Sequence, residues 1–384
     1  MANLFLVPKK IVTGKDALES AGPYLKELGD KALIVTDRVM VSTGNVEKLT
    51  TLLTDNNIRY VVFDGIHTEP TTEMVSQGIE VYQETNCNFL IGIGGGSPID
   101  AMKAIGAMIT NTGKLTDYMG KELKNPPPPL VAIPTTAGTG SEATQFTIIS
   151  DIENHVKMLL KGAVLLPSLA VVDPVLTVTA PPKVTAATGL DALTHAVEAY
   201  TSRKAQALSD IFAVSACKRI FAHLKTAYQN GQDLEARNQM VLAALEAGIA
   251  FNNSSVTIVH GMSRPIGALF HVPHGISNAM LLEECLRFAA AGAPERFAEL
   301  AQATGIAGEP LPYEAAAGKL IDEIGRLCRD LEVPSLEAYG VDRTAFGSNL
   351  DKMAGDALIS GSPNHTIRQP SKEDIITIYK KLWK

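Results

Sequence analysis

Hydrophobic positions along the chain follow two rhythms, and the change falls near Pro181–Pro182. Before it, short runs rich in β-branched residues alternate with stretches of helical spacing. "KALIVTD" (31–37), "RYVVFDGI" (59–66) and "NFLIGIGG" (88–95) are predicted as buried strands, each followed by a turn signal. "EKLTTLLTDN" and "TTEMVSQGIEVYQET" between them are predicted helices. Four prolines in "NPPPPLVAIPTTAGTGSE" make a stiff connector into another strand. "TQFTIISD", "HVKMLLKGA" and "SLAVVDP" are further strands, the first two a hairpin. This alternation predicts βαβ units and a parallel sheet covered by helices on both faces. After "TAPPKVTAATG" only helical patterns follow, among them "ALSDIFAVSACKRIFAHLKTAY", "EARNQMVLAALEAGIAF", "PERFAELAQATG" and "YEAAAGKLIDEIGRLCRDL". Pro294 and Gly305 mark a start and a stop. The expectation is an α/β domain over 1–180, an all-α domain over 181–384, and a ligand site in the cleft between them.

Composition narrows the function classes. The 384 residues are 46% hydrophobic and 20% charged, with a formal net charge of −7. That balance argues against nucleic-acid and anionic-membrane partners. No apolar run approaches the roughly 18–20 residues needed to span a bilayer, and "MANLFLVPKK" has no leader pattern. Cys87, Cys217, Cys285 and Cys328 are far apart and form no CxxC pair, so reduced thiols in a cytoplasmic protein are expected.

The segment "FLIGIGGGSPIDAMKAIGAMI" (89–109) reads as strand, glycine cluster and helix. Gly94, Gly95 and Gly96 let an anion approach backbone N–H groups. Ser97 suits an N-cap, Pro98 the first helical position, and the helix start offers donors to a pyrophosphate. The G-x-G-x-x-G fingerprint fails by one residue and sits on the third strand, so a plain tight turn is the alternative. Asp37, ending "LIVTD", can accept from a ribose diol and would repel a 2′-phosphate, which favours NAD over NADP; the alternative is an exposed turn aspartate. Thr135, Thr136 and Thr139 in "PTTAGTGSE" suit a ribose, a phosphate or the nicotinamide amide, or simply a polar loop. Together these features describe a Rossmann-like dinucleotide-binding domain.

"TGLDALTHAVEAY" (188–200) places Asp191 and His195 at i and i+4, on one helix face. The pair alone is equally an Asp/His surface hydrogen bond. His260 and His274, in "HGMSRPIGALFHVPHG" (260–275), supply two further ligands for a divalent cation. One carboxylate and three imidazoles without thiolate suit Fe(II) or Zn(II) with a position open to a substrate oxygen. Such a cation would polarise a carbonyl, or acidify an alcohol, for hydride transfer. Pro265 and Pro273 predict a break between the two histidines rather than one continuous helix.

At these residues the chain resembles the iron-containing (group III) alcohol dehydrogenase family over essentially its whole length. "GGGSPIDAMK", "IPTTAGTGSE", "ATGLDALTHAVEAY" and "HGMSRPIGALFHVPHG" stand in the family's order. The resemblance implies a dehydroquinate-synthase-like architecture and an NAD-linked alcohol dehydrogenase or aldehyde reductase. Its metal, iron first and zinc as the alternative, would be held by Asp191, His195, His260 and His274. Gly94 to Ser97 would carry the pyrophosphate, Asp37 the adenosine ribose, and Thr135, Thr136, Thr139 and Thr144 would lie near the cofactor. Lys157 would reach the nicotinamide-side ribose, its alternative being a snorkelling edge lysine. A small primary alcohol or aldehyde and a homodimer or larger homo-oligomer are expected.

Two departures stand out. Arg264 replaces a family histidine near nicotinamide and metal, and a guanidinium cannot exchange protons at neutral pH. It is either a structural ion-pair partner or a substrate-pocket residue that prefers an anionic group. His271 then becomes a candidate proton relay or a pocket-lining residue. The family's Asn-Pro-Thr reads Glu69-Pro70-Thr71 here, which questions one cofactor contact. Rival readings are a polyol dehydrogenase or dehydroquinate-synthase-like lyase of the same architecture, and a metal- and nucleotide-binding sensor without turnover.

Overall fold

The structure, a computed structural model, describes residues 2–154, 156–308 and 311–383. Its contacts divide into two units, Leu6–Ala180 and Pro181–Lys384 with Met1–Phe5. Strands β1 (Ile11–Thr13), β2 (Lys31–Val35), β3 (Arg59–Phe63), β4 (Phe89–Gly94), β5 (Leu130–Pro134) and β8 (Leu169–Val172) form one sheet, in the order β1-β8-β5-β4-β2-β3. All its pairings are parallel. β6 (Phe146–Asp151) and β7 (Val156–Lys161) form the expected antiparallel hairpin; His155, in the predicted strand "HVKMLLKGA", lies outside the described residues.

Burial explains the strand sequences. β4, β5 and β8 are buried at every position, so they read as continuous apolar runs rather than alternating ones. Within β2, Leu33 and Val35 join one hydrophobic cluster while Ala32 and Ile34 join another. Side chains with a period of two thus serve both faces of the sheet. β3, at the edge, is half-exposed. The other edge strand, β1, is three residues long and was not legible as a strand, because "IVT" is too short to show a period.

The strand order reverses at β2: β3 lies on one side of it and β4 on the other. In open α/β sheets, ligands bind beyond the carboxyl ends of the strands at such a reversal. The chain leaves β4 into helix α2 (Gly96–Thr110), which follows α1 (Thr72–Glu84). Gly94 has φ +149, and a Cβ there would lie 2.6 Å from Pro98, so this turn requires glycine. The N-cap of α2 is Gly95, not Ser97; Ser97 and Pro98 are already inside the helix, and no side chain caps it. Its leading N–H groups therefore have no side-chain competitor.

Lys103 on α2 is fully buried. Its ammonium donates to the carbonyls of Ser141 (2.5 Å), Thr144 (2.8 Å) and Phe146 (3.0 Å), and lies 3.1 Å from Thr144 Oγ1. Asp100, one turn earlier, accepts from Ser141 Oγ at 2.5 Å and from the Ile148 N–H at 2.9 Å. The loop after β5 is thus tied to the helix by two charged side chains. Burial pulls the Lys103 pKa down to about 8, while Asp100 and Glu142 pull it up. Replacing Lys103 by Met strands three carbonyls in an apolar interior. Lys103→Met is expected to lower stability by about 3 kcal/mol or more, read as a lower urea midpoint.

The second unit is helical: α3 (Pro182–Thr201), α4 (Ala207–Gln229), α5 (Leu234–Asn253), α6 (Ile258–Phe270) and α7 (His274–Ala290) pack together, followed by shorter helices. α3 begins at Pro182, with proline at its first position. Among the described residues, no single helix is long and apolar enough to cross a membrane.

Candidate metal and cofactor sites

On α3, Asp191 and His195 are both buried, with His195 Nδ1 4.0 Å from the carboxylate. α6 contributes His260, whose Nε2 lies 3.7 Å from Asp191 Oδ1. The ligand atoms of Asp191, His195 and His260 all fall within 4.8 Å of one another. α7 begins at His274, whose Nε2 is also 3.7 Å from Asp191 Oδ1, although its side chain is 40% exposed. The four sequence-predicted residues are thus brought together. The break between α6 and α7 falls at His271–Pro273, whereas Pro265 lies inside α6. A proline there costs one backbone hydrogen bond without ending the helix. Gly275 lets this junction form: a Cβ on it would sit 2.4 Å from the Ala187 carbonyl of α3.

The rings are held in a stack. His195 lies between Phe251 (centroids 4.3 Å) and His260 (4.5 Å). Burial lowers the proton affinity of His260 and His274, with Asp191 opposing. Neutral imidazoles keep the lone pairs that a cation requires.

Glu198, one turn after His195, is fully buried, and sequence reading missed it. Its Oε2 is 2.5 Å from His260 Nδ1, and its Oε1 accepts from Thr257 Oγ1 and the Val259 N–H, each at 2.7 Å. This fixes His260 with Nδ1 protonated and Nε2 turned toward Asp191, the carboxylate–histidine support usual behind metal ligands. A glutamate embedded in "ALTHAVEAY" was the available signal. Asn278, also missed, lies one turn after His274. Its Nδ2 is 2.7 Å from Asp191 Oδ1, 3.3 Å from His260 Nε2 and 3.2 Å from His274 Nε2. An amide nitrogen has two hydrogens for these three acceptors, and Asn278 Oδ1 is buried without a hydrogen bond. Three lone-pair atoms converging on so weak a donor fit a divalent cation.

His271 is exposed, in a left-handed conformation (φ 54) that caps α6. Arg264 is half-buried and forms no ion pair or hydrogen bond among the described residues.

At the carboxyl ends of the strands, Thr36 Oγ1 donates to the Ile93 carbonyl (2.8 Å), and the Thr135 N–H donates to the Gly94 carbonyl (2.8 Å). Asp37 caps a short helix, accepting from the Met40 N–H at 2.9 Å. Thr136 and Thr139 are half-buried beside Gly95 and Gly96, whereas Thr144 is buried against Lys103. Lys157 on β7 pairs with Glu69 at 2.7 Å. The Glu-Pro-Thr departure therefore supplies a carboxylate to the lysine expected at the ribose.

Glu198→Gln keeps the shape but removes the charge behind His260. Metal affinity in chelator competition is expected to fall by about 10–100-fold. Gly275→Ala is expected to weaken it as well, by displacing His274 at the helix junction.

Comparisons with known proteins agree with this geometry. Residues 8–174 match the family described as iron-containing alcohol dehydrogenase, and residues 185–383 match its C-terminal counterpart. The chain is 38% identical over 382 residues to 1,3-propanediol dehydrogenase of Citrobacter freundii, covering 98% of each. It is 38% identical over 383 residues to the NAD-dependent methanol dehydrogenase of Bacillus methanolicus, covering 99% of each. A solved structure of 1,3-propanediol oxidoreductase superposes with a TM-score of 0.96 at 37% identity, covering 100% of both chains. The chain belongs to the iron-containing alcohol dehydrogenase family.

Proposed function

We propose that the protein transfers hydride between NAD(H) and a small primary alcohol or aldehyde, with one divalent metal, Fe(II) or alternatively Zn(II). The observation that carries this reading is the buried convergence of Asp191, His195 and His260, with His274 at its edge. These four residues would hold the metal, and Glu198 would keep His260 in its ligating tautomer. When bound, the cation supplies Lewis acidity to the substrate oxygen, where negative charge develops during hydride transfer. The α2 N-terminus, with Gly94, Gly95, Gly96 and Ser97, would bind the pyrophosphate. Asp37 would accept from the adenosine ribose with the carboxylate oxygen its cap leaves over. Thr135, Thr136 and Thr139 would line the cofactor, Thr144 would act through Lys103, and Lys157 would offer its ammonium to the second ribose in competition with Glu69. His271, exposed at the end of α6, is a proton-relay candidate. The reading assigns both groups of residues to one catalytic event, in the cytoplasm and in a homo-oligomer. Four free thiols are consistent with that compartment.

Metal analysis of the purified protein tests the reading, followed by NADH oxidation on addition of propanal to metal-free, Fe(II)-loaded and Zn(II)-loaded samples. Rapid, metal-dependent NADH consumption is expected. Equal rates with and without metal would remove the mechanism, and binding without turnover would favour a sensor.

A further inference from the structure

A guanidinium held partly out of water without a partner is costly, and Arg264 is in that position. It lies on α6 four residues after His260, so both side chains leave the same helix face. The opposing charge that acts on Arg264 is Glu198. Both Glu198 oxygens are already engaged, by His260 on one side and by Thr257 and Val259 on the other. No carboxylate approaches Arg264 within ion-pair distance among the described residues, so the structural ion pair considered for it is absent. Burial lowers its pKa, but a guanidinium stays protonated at neutral pH, so proton relay is also ruled out.

The charges of this region make the same point. Asp191 and Glu198 would balance a bound dication, and among the described residues no carboxylate lies within ion-pair distance of Arg264 to offset its charge. A planar fork of donors one helical turn from His260 is suited to receive a two-oxygen anion.

We infer that Arg264 is the substrate-recognition residue, binding a carboxylate or sulfonate at the far end of a short aldehyde or hydroxy compound. This rests on reading the chain as a metal-dependent aldehyde/alcohol oxidoreductase and names the substrate class of that site. The true substrate is then bifunctional, with an oxygen for the metal and an anion for the arginine.

The test compares succinic semialdehyde with butanal, matched in chain length, on metal-loaded full-length protein with NADH. Arg264→Met and Arg264→Lys are run beside the unaltered enzyme, and calorimetric titration with succinate provides a readout independent of turnover. The unaltered enzyme is expected to favour the acid in kcat/KM by at least about tenfold. Arg264→Met should lose that preference through the acid substrate, chiefly in KM, and should bind succinate at least about tenfold more weakly. Arg264→Lys should recover part of both, because it restores the charge but not the fork. An acid preference at or below that for butanal, with succinate binding unchanged in Arg264→Met, would overturn the inference. Reduction of neither aldehyde, with Arg264-dependent succinate binding, would overturn the oxidoreductase reading and leave the anion site standing.

Discussion

A charge removed from water must be surrounded by groups of opposite polarity, and each unit of this protein shows this at a fully buried side chain. In the α/β unit it is the ammonium of Lys103, which gathers the carbonyls of residues 141, 144 and 146. In the helical unit it is the carboxylate of Glu198, which gathers an imidazole, a hydroxyl and a backbone N–H. Each group is met by three or more partners, and such pairing is the condition under which a buried charge is tolerable. The residues that would touch ligand stand one step further out, held by these two anchors.

The anchors also explain which parts of the molecule were legible in its sequence. Asp191 and His195 were readable because a helix spaces i and i+4 on one face, and His260 and His274 because histidines clustered downstream. Glu198 and Lys103 were not, because each lies in a mostly apolar helix where a charged residue reads as the solvent-facing position. Only tertiary packing turns those positions inward. Asn278 escaped for the same reason, being an ordinary helical amide until α7 brings it against Asp191. The strands were legible where both faces are buried. β1 was missed because it pairs with β8 through three residues only.

Two local rules were overridden by context. Ser97 has the chemistry of an N-cap, yet the turn after β4 is so tight that the helix starts two residues after Gly94. Pro265 has the chemistry of a helix breaker, yet α6 runs through it and ends at His271 instead. In both places, the surrounding structure weighs more than the roughly 1–3 kcal/mol of a single residue's preference.

Asp37 carries a constraint of a different kind. One of its oxygens is committed to the first turn of the helix behind β2. Redesign of the proposed cofactor site for a phosphorylated ribose would begin by removing this negative charge. A basic or apolar replacement would also undo the cap, at a cost of about 1 kcal/mol. The exchange that respects both duties is a neutral capping side chain at this position, with the new positive charge introduced on a neighbouring residue. The proposed cofactor role and the local fold thus meet in a single carboxylate, and a change made for one has to be compensated for the other.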